Sequence, residues 1–113
     1  MGEHRIADGA YSVIVIDMFH YDDESEMIIR GFPTAELARE YARRRTRDAV
    51  EESRQAGRSH DEIRKLWHTF GEDCIVVGDS YTGFSELDFF IDHPATPEER
   101  DWMAIEKLVT EKD

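Results

Sequence analysis

Cysteine occurs once in the 113 residues, at Cys74, and asparagine does not occur at all. A single thiol excludes an intramolecular disulfide and a multi-cysteine zinc centre. Lysine is scarce as well, three residues against eleven arginines, and the chain carries a formal net charge of −12 at pH 7. So acidic a surface argues against a protein that grips nucleic acid or an anionic membrane, because phosphate binding is driven by basic side chains. Apolar runs fall far short of a membrane span, and the opening Met1-Gly2-Glu3-His4 lacks the basic and apolar blocks of a signal peptide, so a cytoplasmic chain with no membrane partner is expected. The five histidines, His4, His20, His60, His68 and His93, fall at no metal-binding spacing. Neither a metal nor a cofactor is expected.

What the chain does have is core material. Hydrophobic residues make up 40% and aromatics 11%, which separates it from disordered chains although 35% of its residues are charged. The length suits one domain. Residues 1–10, polar and containing Gly2 and Gly9, read as a flexible lead-in, and residues 11–113 as a single α+β domain.

The organising stretch runs from Tyr11 to Gly57. Tyr11 onward is rich in β-branched and aromatic residues, and Val13 to Ile16 is a continuous apolar run, the pattern of a strand buried on both faces. Asp22-Asp23-Glu24-Ser25-Glu26 makes a solvated turn, and Met27 to Phe32 returns as a hairpin strand. Pro33 and Thr34 then open a long helix, with Thr34 as N-cap and Leu37, Ala38, Tyr41, Ala42 and Ala49 as an inward stripe whose shrinking side chains predict growing exposure toward Gly57. Ser59-His60-Asp61-Glu62 has the form of a capping box, and Ile63, Leu66, Trp67 and Phe70 recur at helical spacing before Gly71. Asp73 to Gly78 reads as a third strand, again apolar on both faces. The segment 84–93 fits a short helix capped by Ser85, with Phe84 and Phe89 as a hydrophobic staple, and also fits a strand; the helix is the preferred reading. Thr96-Pro97-Glu98-Glu99 opens a last helix burying Trp102, Ile105, Leu108 and Val109. The order ββααβ(α/β)α predicts a two-layer domain. A small, mainly antiparallel sheet of three or four strands carries three to four helices, with the third strand beside the first.

Several positions qualify as sites. Arg39, Arg43 and Arg47 recur every fourth residue on one helix face, flanked by Arg44 and Arg45, and suit an anionic partner; the same face also carries Glu36, Glu40, Glu51 and Glu52, which suits a solvated surface. Asp17 is a carboxylate in a strand that otherwise reads as buried, so it needs a partner such as Arg30, an exposed strand end, or a ligand. His20 points to the opposite face from Asp17. The turn-rich loop Gly78 to Gly83 brings Ser80 and Tyr81 beside Phe84 and glycines, a setting for a ligand pocket. Its Gly78-Asp79-Ser80 resembles the opening of the Gly-Asp-Ser-Leu esterase block, but Tyr81 stands in the place of the leucine, and no acid, base and nucleophile converge in sequence. Cys74 reads as a buried hydrophobe, since Glu72 and Asp73 make its surroundings negative.

The leading expectation is a small non-catalytic binding or interaction protein, with homodimerisation as the way it would act. The alternatives are a small-molecule sensor or small enzyme with a pocket beside the Gly78–Phe84 loop, using Asp17, His20, Ser80 and Tyr81, and recognition of an anionic partner through Arg39, Arg43 and Arg47.

Overall fold

The computed structural model describes residues 11–19 and 25–110. Strand β1 (Tyr11–Asp17) is the centre of a three-stranded sheet of order β2-β1-β3, and both β2 (Glu26–Phe32) and β3 (Glu72–Val77) run antiparallel to it. Four helices complete the described chain: α1 (Ala35–Ser53), α2 (His60–Phe70), α3 (Leu87–Asp92) and α4 (Trp102–Thr110), with short 3-10 turns at Gly83–Glu86 and Glu98–Arg100. This is a small α+β domain with the third strand beside the first, as the order of elements predicts. No helix among the described residues is long and apolar enough to cross a membrane. His20 and the acidic residues 22–24 lie outside the described residues, as does the lead-in 1–10.

Alternation along the strands decides what is covered. Val13, Val15, Cys74, Val76 and Phe32 are buried against Ala38, Tyr41 and Ala42 of α1 and Ile105 and Val109 of α4. The residues between them point the other way, and no helix among the described residues covers them: Ile14, Ile16 and Ile75 are half-buried, and Ile28 and Val77 are exposed. The expectation of strands buried on both faces is therefore corrected. A continuous apolar run shows that both faces are hydrophobic, whereas the number of layers depends on where the helices pack, which is a tertiary property.

A second cluster forms around Trp67, with Val50, Ile63, Leu87, Phe90 and Ile91. It also corrects the expected fading of α1, because Arg45, Thr46, Arg47, Val50 and Ser53 are all buried in its second half. Helix α3 lies across that half and covers it, so small side chains there mark close packing instead of exposure. The start signals hold where the sequence places them: Thr34 Oγ1 accepts from the Leu37 amide at 3.1 Å, and Ser59 and Glu62 form the reciprocal capping box. At Gly71, which ends α2, a Cβ would lie 2.5 Å from Trp67 Cδ1, so the turn needs a bare backbone.

Other boundaries shift. The segment expected at 84–93 is helical from Gly83 to Asp92, but Thr82 supplies the cap, the first turn is 3-10, and Phe84 and Phe89 are about half exposed, so they form no staple. The Thr96–Glu99 box forms, yet it closes only the 3-10 turn, and α4 starts at Trp102 with Asp101 Oδ1 accepting from Ala104. Phe70 and Leu108 face outward. Helix α4 rests on the sheet through Ile105 and Val109, one turn apart, which leaves Leu108 off the stripe. Gly31 has φ of +103° where the β1–β2 register shifts, and α4 approaches so closely that a Cβ there would meet the Val109 carbonyl at 3.3 Å. That bulge bounds the regular part of β2 at Arg30.

Candidate functional site

The two edges of the sheet are treated differently. Beyond β3, the loop that leaves Val77 folds back: the Val76 amide donates to the Tyr81 carbonyl at 3.1 Å, and Thr82 bridges to Ile75. Asp73 holds the returning chain, its Oδ1 accepting from the Cys74 amide at 2.8 Å and the Phe84 amide at 2.9 Å. Burial pushes the Asp73 carboxyl above its ordinary value, and the two amides work against that shift. Among the described residues, nothing pairs with the outer edge of β2. Its five regular residues, Glu26-Met27-Ile28-Ile29-Arg30, leave Met27 and Ile28 each 45% exposed. Pairing with Ile16, Ile14 and Ser12 places Glu26, Ile28 and Arg30 on the uncovered face, and pairing with Val15 and Val13 turns Met27 and Ile29 toward the helices. Ile28, Ile14 and Ile75 thus form a row across the whole uncovered face. An open, regular, apolar edge is a template for another strand, and folded chains usually block such edges.

Residues proposed for a ligand pocket are split between the two ends of the sheet. Asp17 pairs opposite Glu72, whereas the Gly78–Phe84 loop departs from Val77, which pairs opposite Ser12. Arg30 also sits at the Ser12 end, so it is not the partner of Asp17. Ser80 is exposed in the loop. Tyr81 packs against the main core with its hydroxyl buried; burial first, and then the Glu86 carboxylate, raises the phenol well above its ordinary pKa. Burial likewise pushes the Cys74 thiol up to about 12, which removes it as a nucleophile.

Asp17 instead lines a cleft of about 570 Å³ between the end of β1, the second half of α1 and the close of α2. Its carboxylate accepts from the Phe19 amide at 2.9 Å. The other carboxylates of the cleft are Asp48, Glu52 and Glu72, facing Arg45 and Arg58. Asp48 is held by Arg100 at 2.7 Å and by Trp102 Nε1 at 3.1 Å. Glu72 is bound by Arg45 through Nε at 2.9 Å and Nη2 at 3.5 Å. Arg45 is itself buried, donates to the Tyr41 hydroxyl at 2.6 Å and lies 4.0 Å above the Trp102 ring. The Arg58 guanidinium donates to the Ser53 carbonyl at 2.7 Å. The volume falls in the range of small-molecule sites, and the lining mixes charge with the rings of Phe70 and Trp102.

The three arginines of the proposed anionic face are engaged within the fold. Arg39 lies 3.8 Å from Asp79. Arg43 pairs with Glu86 at 3.1 Å and Glu40 at 3.4 Å and stands 5.2 Å over the Tyr81 ring. Arg47 is only 8% exposed, donates to the His93 carbonyl at 2.7 Å and covers the Phe90 ring at 5.0 Å. They do not converge as one free cationic surface. His60 gains a comparable structural task, with Nδ1 at 2.8 Å from Asp92 and Nε2 at 3.0 Å from Asp88; the Asp92 hydrogen bond, then that of Asp88, raises its pKa.

The feature that sequence reasoning passed over is the strand edge Glu26 to Arg30. Its signal was available, since opposite charges stand two residues to either side of Ile28 in a strand, but the sequence does not say whether anything covers the outer side of that strand. Comparison with family models, with curated proteins and with solved structures finds no match to this chain.

Proposed function

We propose that this chain is a non-catalytic interaction protein that acts as a homodimer in the cytosol, and that the free side of its sheet is the contact surface. One observation carries the reading: the edge of β3 is closed by the chain's own loop while, among the described residues, the apolar edge of β2 is left open. Leaving Met27 and Ile28 in water forgoes the favourable free energy of burying two large side chains, and a second copy of the same strand recovers it. Static light scattering at tens of micromolar is expected to give twice the mass of one chain. Ile28→Lys is expected to halve that mass while the far-UV circular dichroism stays unchanged, because Ile28 contributes to neither core cluster. A wild-type protein that remains a monomer at that concentration sinks the reading.

A second reading is favoured by the cleft at Asp17: the chain binds a small amine-bearing molecule, with the carboxylates of Asp17 and Glu52 meeting the cation and Phe70 its apolar part. A ligand at 100 times its Kd adds about 2.7 kcal/mol of apparent stability. Thermal melts against polyamines and amino acids are therefore expected to show a rise of several degrees that Asp17→Asn abolishes. No shift with any of them at millimolar concentration removes this reading and leaves the first untouched.

A further inference from the structure

We infer that two copies of this chain join through β2 in one register, antiparallel about a two-fold axis at Ile28, to make a continuous six-stranded sheet. The inference rests on the homodimer reading and specifies its geometry.

A two-fold axis perpendicular to the sheet keeps each face on its own side, so every residue must meet a residue of its own face. The axis must then pass through a residue position, and the regular part of β2 offers three. Centred on Ile28, the strand is complementary to itself. Ile28 meets the partner's Ile28, Met27 meets the partner's Ile29, and Glu26 meets the partner's Arg30, twice over by symmetry. Centred on Met27, Ile28 instead opposes the partner's Glu26. Centred on Ile29, it opposes the partner's Arg30. Both alternatives set an apolar side chain against a charge, whereas directly opposed apolar and oppositely charged pairs stabilise antiparallel strands. The Gly31 bulge lies just past Arg30 and leaves the five paired residues regular. Pairing also extends the Ile75-Ile14-Ile28 row into its symmetry mate, doubling the apolar band on the uncovered face.

Charge exchange tests the register. Glu26→Arg sets arginine against arginine at both symmetric positions, and Arg30→Glu sets glutamate against glutamate. Each single variant is expected to weaken the dimer at least tenfold in sedimentation, a loss of about 1.4 kcal/mol. The double variant, and an equimolar mixture of the two single variants, are expected to recover it. Ile28→Cys should also oxidise to a disulfide-linked dimer, because opposed residues of an antiparallel pair lie within disulfide reach, while Val77→Cys should not. If the wild type dimerises and the single charge variants dimerise equally well, the register is overturned and the homodimer reading stands. If the wild type is monomeric, both fall.

Discussion

Trp67→Ala is expected to cost about 3–5 kcal/mol, the range for removing a large buried aromatic side chain. For a domain of this size that corresponds to a fall of roughly 15 °C in the melting temperature. The indole is 1% exposed and is the largest member of the cluster that joins α1, α2 and α3. It stacks 6.2 Å from the Phe84 ring, and the backbone of Gly71 closes directly on its edge. Little around it can collapse into the space, because Gly71 already sits against the ring and Arg54 and Arg47 hold the Phe90 and His93 carbonyls of the α3 segment. Trp67→Phe is expected to cost far less, under about 1.5 kcal/mol, since it keeps most of the apolar volume. The indole Nε1 has no hydrogen-bond partner among the described residues, so phenylalanine also removes a buried donor that none of them accepts. Urea unfolding followed by circular dichroism measures both variants; equal losses for Ala and Phe would mean that the part of the indole phenylalanine does not replace, and not a six-membered ring alone, holds this cluster.

Arg45→Ala carries the second large effect, a loss of about 2–3 kcal/mol. Breaking a fully buried ion pair by removing one partner costs about 3–5 kcal/mol. The figure is reduced here because the carboxylate partners, Glu72 and Glu106, are each about a third exposed and keep part of their hydration. The guanidinium does three things at once: it forks onto Glu72, donates to the Tyr41 hydroxyl and lies flat over Trp102. Tyr41 passes the network on, donating to Glu106 at 2.5 Å. Arg45 thereby ties α1 to the start of β3 and to α4 across the rim of the main core. Lysine has neither the planar fork nor the flat stacking face, so Arg45→Lys is expected to recover less than half of the loss. Chemical denaturation checks the pair of variants, and a full rescue by lysine would reduce the network to a single point charge.

Both effects sit in the helical layer, away from the β2 edge. The scaffold and the proposed contact surface can therefore be tested separately, because substitutions more than about 7–10 Å apart with no shared partners act additively. Stability variants should leave the mass in solution unchanged, and the Glu26 and Arg30 variants should leave the melting temperature of the monomer nearly unchanged.

Local signals were the most legible part of the sequence. Thr34 and the Ser59–Glu62 box each work through groups three residues apart, so they start α1 and α2 where the sequence places them. The Thr96–Glu99 box shows the limit of that legibility: the cap forms, but nothing local says how many turns follow it. Asp17 was legible as an exception within an apolar strand, and it does line a cleft. Its neighbours there were not legible, because Glu52, Arg58 and Phe70 come from three distant segments. For the arginine face the helix spacing was legible and its surroundings were not. Arg39, Arg43 and Arg47 share a helix face, but whether such a face meets water or another element depends on where α3 and the Gly78–Phe84 loop come to rest.

Composition, alternation and capping by themselves determined an acidic α+β domain and the existence of its strands and helices, because those properties arise from contacts a few residues apart and from the total supply of apolar side chains. Only the tertiary structure decided that α1 and α4 cover one face of the sheet, that Arg45 and Arg47 are buried, and that the loop closes the β3 edge while, among the described residues, β2 stays open. Those outcomes depend on which surfaces meet once the chain has folded back on itself, and a linear pattern of hydrophobicity carries the period of an element but not the identity of its neighbour.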